Sequence, residues 1–122
     1  MSDPRCRCTC PGATVWVTGR PLADRLAAAY ALAERLLAQG RRVTVLDRYD
    51  DLSADAAHLG LAAEVLARNG LVAIVPCATD GVEAVRSRHE ASGTRYVELS
   101  VTDRTSPEES ALAALGRIVT HD

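Results

Sequence analysis

The chain has no lysine: all 14 of its basic residues are arginine. That excludes chemistry built on an ε-amine, from Schiff bases to lysine general bases to the lysine of a nucleotide-binding loop. Phenylalanine is also missing, and aromatics make up 3% of the 122 residues. With 48% hydrophobic residues, the core has to be built from Leu, Val, Ala and Ile. Neither sign of charge dominates. The net charge of -2 and the lack of a basic stripe give no electrostatic basis for holding nucleic acid. No apolar run approaches the roughly 20 residues of a membrane span, and no signal-peptide pattern opens the chain. The expectation is a cytoplasmic protein whose partners include neither nucleic acid nor membrane.

What is present has a clear order. Residues 1–12, MSDPRCRCTCPG, lack periodicity and predict a flexible, Cys-containing tail; residues 13–122 are expected to form a single domain. ATVWVTG is a continuous, β-branched run of the buried-strand type. LADRLAAAYALAERLLAQG predicts the clearest helix, with Leu22, Leu26, Ala29, Ala33, Leu36 and Leu37 as its apolar stripe and Gly40 as its C-terminal cap. VTVLD, residues 43–47, is a second strand, and Ser53 could cap the helix ADAAHLGLAAEVLARN, which Gly70 ends. LVAIV is a third strand. Asp80 with Glu83 makes a capping box for GVEAVRSRHEA, and TRYVELSV is a fourth strand. Ser106 and Glu109 make a second capping box, with Pro107 at the first position of the helix PEESALAALGRI. The alternation βαβαβαβα implies an α/β fold: a parallel sheet covered on both faces and joined by right-handed crossovers.

The junction TVWVTGRPLADRL, Thr14 to Leu26, has the frame of a phosphate loop, a buried strand running into Gly19 and then a helix. From Gly19, such a loop would read G-x-x-x-x-G-K-[ST]. Asp24 stands in place of the second glycine, whose lack of a Cβ lets backbone N–H groups close around phosphate. Arg25 replaces the lysine with a longer planar fork. Leu26 replaces the hydroxyl that would hold Mg²⁺ and has no ligand atom.

Four segments in order, TVWVTG, LDRYDDLS, AAEVLARNGLVAIV and TSPEESALAALG, resemble segments of the adenylylsulfate (APS) kinase family and span most of residues 13–116. Those P-loop enzymes phosphorylate APS with ATP. The resemblance implies a P-loop-kinase-like three-layer α/β/α sandwich, a mostly parallel sheet of four to five strands, and relatives that often dimerise. The family's functional residues do not carry over. Of its D-G-D after the second strand, only Asp47 of Asp47-Arg48-Tyr49 matches. The Arg and Asn that hold APS would fall near Asp55, Ala57 and His58, none of which keeps the family residue. The S-P-Y after the third strand is Thr79-Asp80-Gly81, and SVTDRTSPEES bypasses the basic lid that follows the fourth strand in the family. Phosphoryl transfer is mostly positioning and electrostatics, so the loss of lysine, magnesium ligand and lid predicts no kinase activity.

Other residues carry weaker chemistry. Gly19, Arg20, Asp24 and Arg25 form the degenerate phosphate loop; Arg20 and Arg25 at the helix N-terminus could hold a plain anion, against the charge of Asp24. A solvated loop with an Arg–Asp pair is the alternative. Asp47, Asp50 and Asp51 cluster after the second strand and could bind a divalent metal or belong to a solvated turn. Cys6, Cys8 and Cys10 sit at spacing two, about 6.6 to 7 Å apart per step in an extended chain. With Cys77 or a histidine they could bind zinc or copper(I), or link chains by disulfide, although C-x-x-C is the commoner metal spacing. Cys77 follows a buried strand, where the expectation is a packed small residue. His58, His89 and His121 suggest no pairing by their separations.

The leading expectation is a catalytically inactive APS-kinase-like domain that works through a protein partner or as a homodimer, in sulfur metabolism or a sulfur-related biosynthetic pathway. No cofactor is expected, ATP and Mg²⁺ included. One alternative is a residual nucleotide- or anion-binding enzyme of the ATP:adenylylsulfate 3'-phosphotransferase type. Another is metal or sulfur handling through the N-terminal CxCxC.

Overall fold

The computed structural model describes residues 12–19, 22–46, 56–76, 82–101 and 107–119. Eight elements alternate along the chain: β1 (Ala13–Gly19), α1 (Leu22–Ala38), β2 (Arg42–Val45), α2 (Ala56–Arg68), β3 (Leu71–Pro76), α3 (Val82–Ser92), β4 (Tyr96–Val101) and α4 (Pro107–Val119). The strands form one sheet in the order β2-β3-β1-β4, and every pairing is parallel.

Period-two alternation sorts the side chains into two cores. Val15, Val17, Val72, Ile74, Val97, Leu99 and Val101 face α1 and α4, where they pack with Ala28, Ala29, Leu32, Leu36, Ala111 and Ala114. Trp16, Ala73 and Val75 face α2 and α3, where they meet Leu59, Ala63 and Val85. The result is the three-layer α/β/α sandwich expected from the alternating elements, with four strands. Each fully buried Leu, Ile or Val in these layers contributes roughly 1.5–3 kcal/mol by leaving water.

Three details differ from the expectation. First, the buried stripe of α1 runs through Ala28, Ala29, Leu32, Ala33 and Leu36, while Leu37 is 59% exposed. At about 100° per residue, Leu37 lies a quarter-turn past Leu36 and off the sheet-facing side. Second, β4 starts at Tyr96 rather than at Thr94. The Thr94 N–H is already donated to the His89 carbonyl at 2.9 Å, and Gly93 N–H to Glu90 at 3.2 Å, which closes the end of α3. Third, β4 is not apolar on both faces. Val97, Leu99 and Val101 are buried, but Tyr96, Glu98 and Ser100 on the other side are half-buried or exposed. Helix α3 covers that side only in part.

Gly40 caps α1 as its sequence position predicts. Its φ is 79°, and the Gly40 and Arg41 N–H groups donate to Leu37 and Leu36 at 2.9 and 3.0 Å. This is the Schellman arrangement, which turns the chain sharply into β2.

The α2/α3 layer holds buried polar groups that the sequence pattern does not announce. His89 is fully buried between Thr14 of β1 and its own helix. Its Nδ1 lies 2.8 Å from the Val85 carbonyl, which can only accept, so Nδ1 carries the hydrogen. Its Nε2 lies 2.8 Å from Thr14 Oγ1. Glu64 of α2, 2% exposed, accepts a bond from Arg88 Nε at 2.6 Å and joins α2 to α3. Burial pushes the Glu64 carboxyl up, but hydrogen bonds from Ser92 and Arg88, with the charges of Arg88 and His89, more than offset it and hold it below its ordinary value of 4.5.

Two outcomes follow. Thr14→Val keeps the shape of the side chain but leaves His89 Nε2 buried without its partner, so urea unfolding should show a loss of about 1–3 kcal/mol. For Glu64, the folded value lies below the unfolded one. Its stabilisation is therefore complete above the ordinary carboxylate range and is lost as pH falls through the lowered folded value. Glu64→Gln should lower stability at neutral pH and flatten the acid limb of a stability-versus-pH profile; an unchanged acid limb would count against this role.

Candidate functional site

In an open parallel sheet, ligands bind beyond the carboxyl ends of the strands, where successive crossovers leave in opposite directions. Here β1 connects through α1 to β2 on one side, and β3 connects through α3 to β4 on the other. The switch point therefore lies between β1 and β3, and β1 ends there at Gly19. This is the position of the degenerate phosphate loop.

Gly19 has φ 108°, a conformation L side chains rarely adopt, and a Cβ there would overlap the Val101 carbonyl oxygen of β4. Only glycine fits this exit from the sheet. Arg25, in the first turns of α1, reaches back so that Nη1 donates to the Gly19 carbonyl at 2.5 Å. The loop sequence allows an Arg–Asp pair; the structure ties Arg25 to the loop's own backbone. Its Nε is buried and has no hydrogen-bond partner among the described residues. Asp24 lies in the first turn of α1, half-buried, where a negative charge complements the helix dipole. Leu26 is half-buried. Thr18 Oγ1 and Ser100 Oγ, one residue before the ends of β1 and β4, lie 3.4 Å apart.

The structure therefore brings Gly19 and Arg25 together and sets Asp24 beside them on α1. Arg20, Asp47, Asp50, Asp51, Asp55, Cys6, Cys8, Cys10, Cys77, Thr79, Asp80, Gly81 and His121 lie outside the described residues, as do the side chains of Ala57 and His58. Strand β2 runs Arg42–Val45, so it starts one residue before and ends two residues before the expected 43–47, although the Leu46 N–H still donates to Ile74 at 2.8 Å. Among the described residues, no three His, Cys, Asp or Glu side chains are grouped to hold a metal ion, and no helix is long and apolar enough to cross a membrane. Residues 102–106 alone separate β4 from α4, which leaves no length for a lid of tens of residues.

A groove of about 310 Å³ opens elsewhere, between α3 and the amino half of β4, lined by Arg86, Glu90, Thr94, Tyr96 and Glu98. Arg86 Nη2 donates to Glu98 Oε2 at 2.5 Å, and the Tyr96 hydroxyl donates to the same oxygen at 3.2 Å. Burial, then the Glu98 charge and the hydrogen bond to it, push the Tyr96 phenol well above its ordinary range. The Tyr96 ring meets His89 at 5.3 Å between centroids. This network is not part of the switch-point crevice. The sequence reading did not find it because its members are brought together from separate elements. The one local signal is the polar alternation Tyr96, Glu98, Ser100 within YVELSV.

No protein-family model matches the chain, and no curated protein matches it. Solved structures do. The chain is similar to a mutant of the Mycobacterium tuberculosis APS kinase CysC, with TM-score 0.69 and 24% identity over 88% of this chain and 97% of that one. The same enzyme in complex with AMPPNP and APS gives TM-score 0.62 and 26% identity over 74% of this chain and 62% of that one. A hexameric APS kinase from Thiobacillus denitrificans gives 0.63 and 26% over 87% of this chain and 28% of that one. The chain thus spans less than two thirds of these last two. A four-stranded parallel sheet between two helical layers, superposing on these enzymes, gives this chain the fold of the APS kinases.

Proposed function

We propose that this chain is an APS-kinase-like domain that has lost phosphoryl transfer and acts through contact with protein, in sulfur metabolism or a sulfur-related biosynthetic pathway. The observation that carries the loss of chemistry is Arg25. At the position of the nucleotide-binding lysine, its guanidinium is bonded to the Gly19 carbonyl of its own loop. A lysine there would have to extend toward the β- and γ-phosphates. Asp24 adds negative charge where an anion would sit, Leu26 offers Mg²⁺ no oxygen, and the five-residue link after β4 replaces a lid. The pathway rests on the fold likeness alone, and a fold hosts many functions.

A second reading has one observation in its favour. Among the described residues the buried Arg25 Nε–H has no acceptor, and a buried donor of that kind is what a bound anion would satisfy. Under this reading the chain is a residual nucleotide- or anion-binding enzyme of the kinase type.

A thermal-shift titration with MgATP, ADP and APS at millimolar concentration separates the two. Ligand at about 100 times its dissociation constant adds roughly 2.7 kcal/mol to native stability, several degrees for a chain of this size. The proposed function expects no shift in a protein shown to be folded by circular dichroism. It also expects Arg25→Ala to lower stability by about 1.5–3 kcal/mol through loss of a charged hydrogen bond, with no change in ligand response. A clear shift with nucleotide that Arg25→Ala abolishes would establish the second reading instead.

A further inference from the structure

The chain has a single asparagine, Asn69, and it stands directly before Gly70. The pair closes α2. Gly70 has φ 88°, a conformation suited to glycine, and its N–H donates to the Ala67 carbonyl at 3.1 Å. The Asn69 N–H donates to Leu66 at 3.0 Å. The residue that turns the chain out of the helix therefore also leaves its own nitrogen unshielded, because glycine has no Cβ beside it.

A side-chain amide next to such a nitrogen can cyclise. The Gly70 nitrogen gives its proton to solvent base and attacks Asn69 Cγ. A C–N bond forms, the Cγ–Nδ2 bond breaks, and the side-chain nitrogen leaves as ammonia with a proton from water. Water then opens the cyclic imide. Opening at Cγ leaves aspartate. Opening at the Asn69 carbonyl carbon leaves isoaspartate, whose main chain runs through Cβ and Cγ and is one carbon longer. Only water is consumed, and nothing is oxidised or reduced.

The folded chain keeps the reacting atoms apart. Asn69 Nδ2 donates to the Val65 carbonyl, one turn back, at 2.7 Å, which draws Cγ toward the start of the helix. The Gly70 nitrogen lies beyond the helix end, engaged with Ala67. Cyclisation requires both bonds to open. The products, in turn, do not suit the turn. Gly12, at the entry to β1, packs so closely on it that a Cβ there would overlap the carbonyl oxygens of Ala67 and Leu71. Leu71 and Val72 are in register with Arg42 and Ala13. An added main-chain carbon has to displace one of these contacts. Either product also removes the donor to Val65 and places a negative charge at the negative end of the α2 dipole.

We propose that Asn69–Gly70 is a self-modification site, held unreacted by these two hydrogen bonds, whose conversion to isoaspartate unseats the α2–β3 turn from β1. The inference is independent of the function proposed above, since it depends on the turn alone.

The test incubates the full chain at mildly alkaline pH, folded and in concentrated urea, and follows intact mass. Exchange of NH2 for OH raises the mass by a single unit. Asn69 should convert in urea and at least about tenfold more slowly in the folded chain, because the reaction passes through the opened turn. Asn69→Ser should abolish the mass gain, a comparison made in urea, where folding is not required. The isoaspartyl form, separated by anion exchange, should unfold at a lower urea concentration than the unmodified chain and exchange its Val15 and Val72 amides faster. Asn69→Asp, which carries the charge without the added carbon, should fall between the two. No mass gain in urea, a gain that persists in Asn69→Ser, equal rates with and without urea, or an isoaspartyl form as stable as the unmodified chain would each overturn the proposal.

Discussion

Everything in this molecule is positioned from β1. It is hydrogen-bonded to β3 on one side and β4 on the other and is buried on both faces over Ala13–Val17. A strand in that place has no solvent to fall back on, so its side chains must alternate between two dry layers. Val15 and Val17 key the α1/α4 layer, and Thr14 and Trp16 key the α2/α3 layer. A slip of one residue would exchange these sets and place the Thr14 hydroxyl away from His89. The same strand decides where the crevice opens, because its last residue, Gly19, stands at the switch point.

The loop that follows shows how a site can keep its frame while losing its chemistry. Gly19 is required by backbone geometry, through its φ of 108° and the Val101 carbonyl against it, whatever the loop binds. Its retention says nothing about nucleotide. The residues that would contact phosphate and metal are under no such geometric demand, and they are Asp24, Arg25 and Leu26. Arg25 has a use within the fold, holding the loop to the start of α1. The dipole of α1, which would favour a phosphate, here faces the chain's own carboxylate at Asp24.

Strand β4 is the element at which the sandwich is incomplete. One face is covered by α4 and α1, and the other carries Tyr96, Glu98 and Ser100 beside an open groove. A parallel strand covered on both faces would be expected to run apolar throughout, and β4 does not. Its polar face is consistent within itself: Glu98 is shared between Arg86 and Tyr96, so the charge exposed there is largely cancelled.

The elements were legible in the chain because local physics decides them. Val, Ile and Ala runs between helix-period segments dictate strands and helices, glycine at Gly40 dictates a helix end, and the want of lysine and the residues at 24 to 26 dictate what the loop cannot do. Boundaries were less legible where one backbone group has two claimants, as at Thr94, whose N–H goes to His89 rather than to the sheet. The expected stripe of α1 includes Leu37, which is exposed, and omits Ala28 and Leu32, which are fully buried, because composition does not say which flank of a helix meets the sheet. Strand order, the burial of His89 on Thr14, the Glu64–Arg88 link and the turning of Arg25 onto Gly19 belong to the tertiary structure alone. Each joins groups whose approach depends on how whole elements stack, and no spacing along the chain encodes that distance.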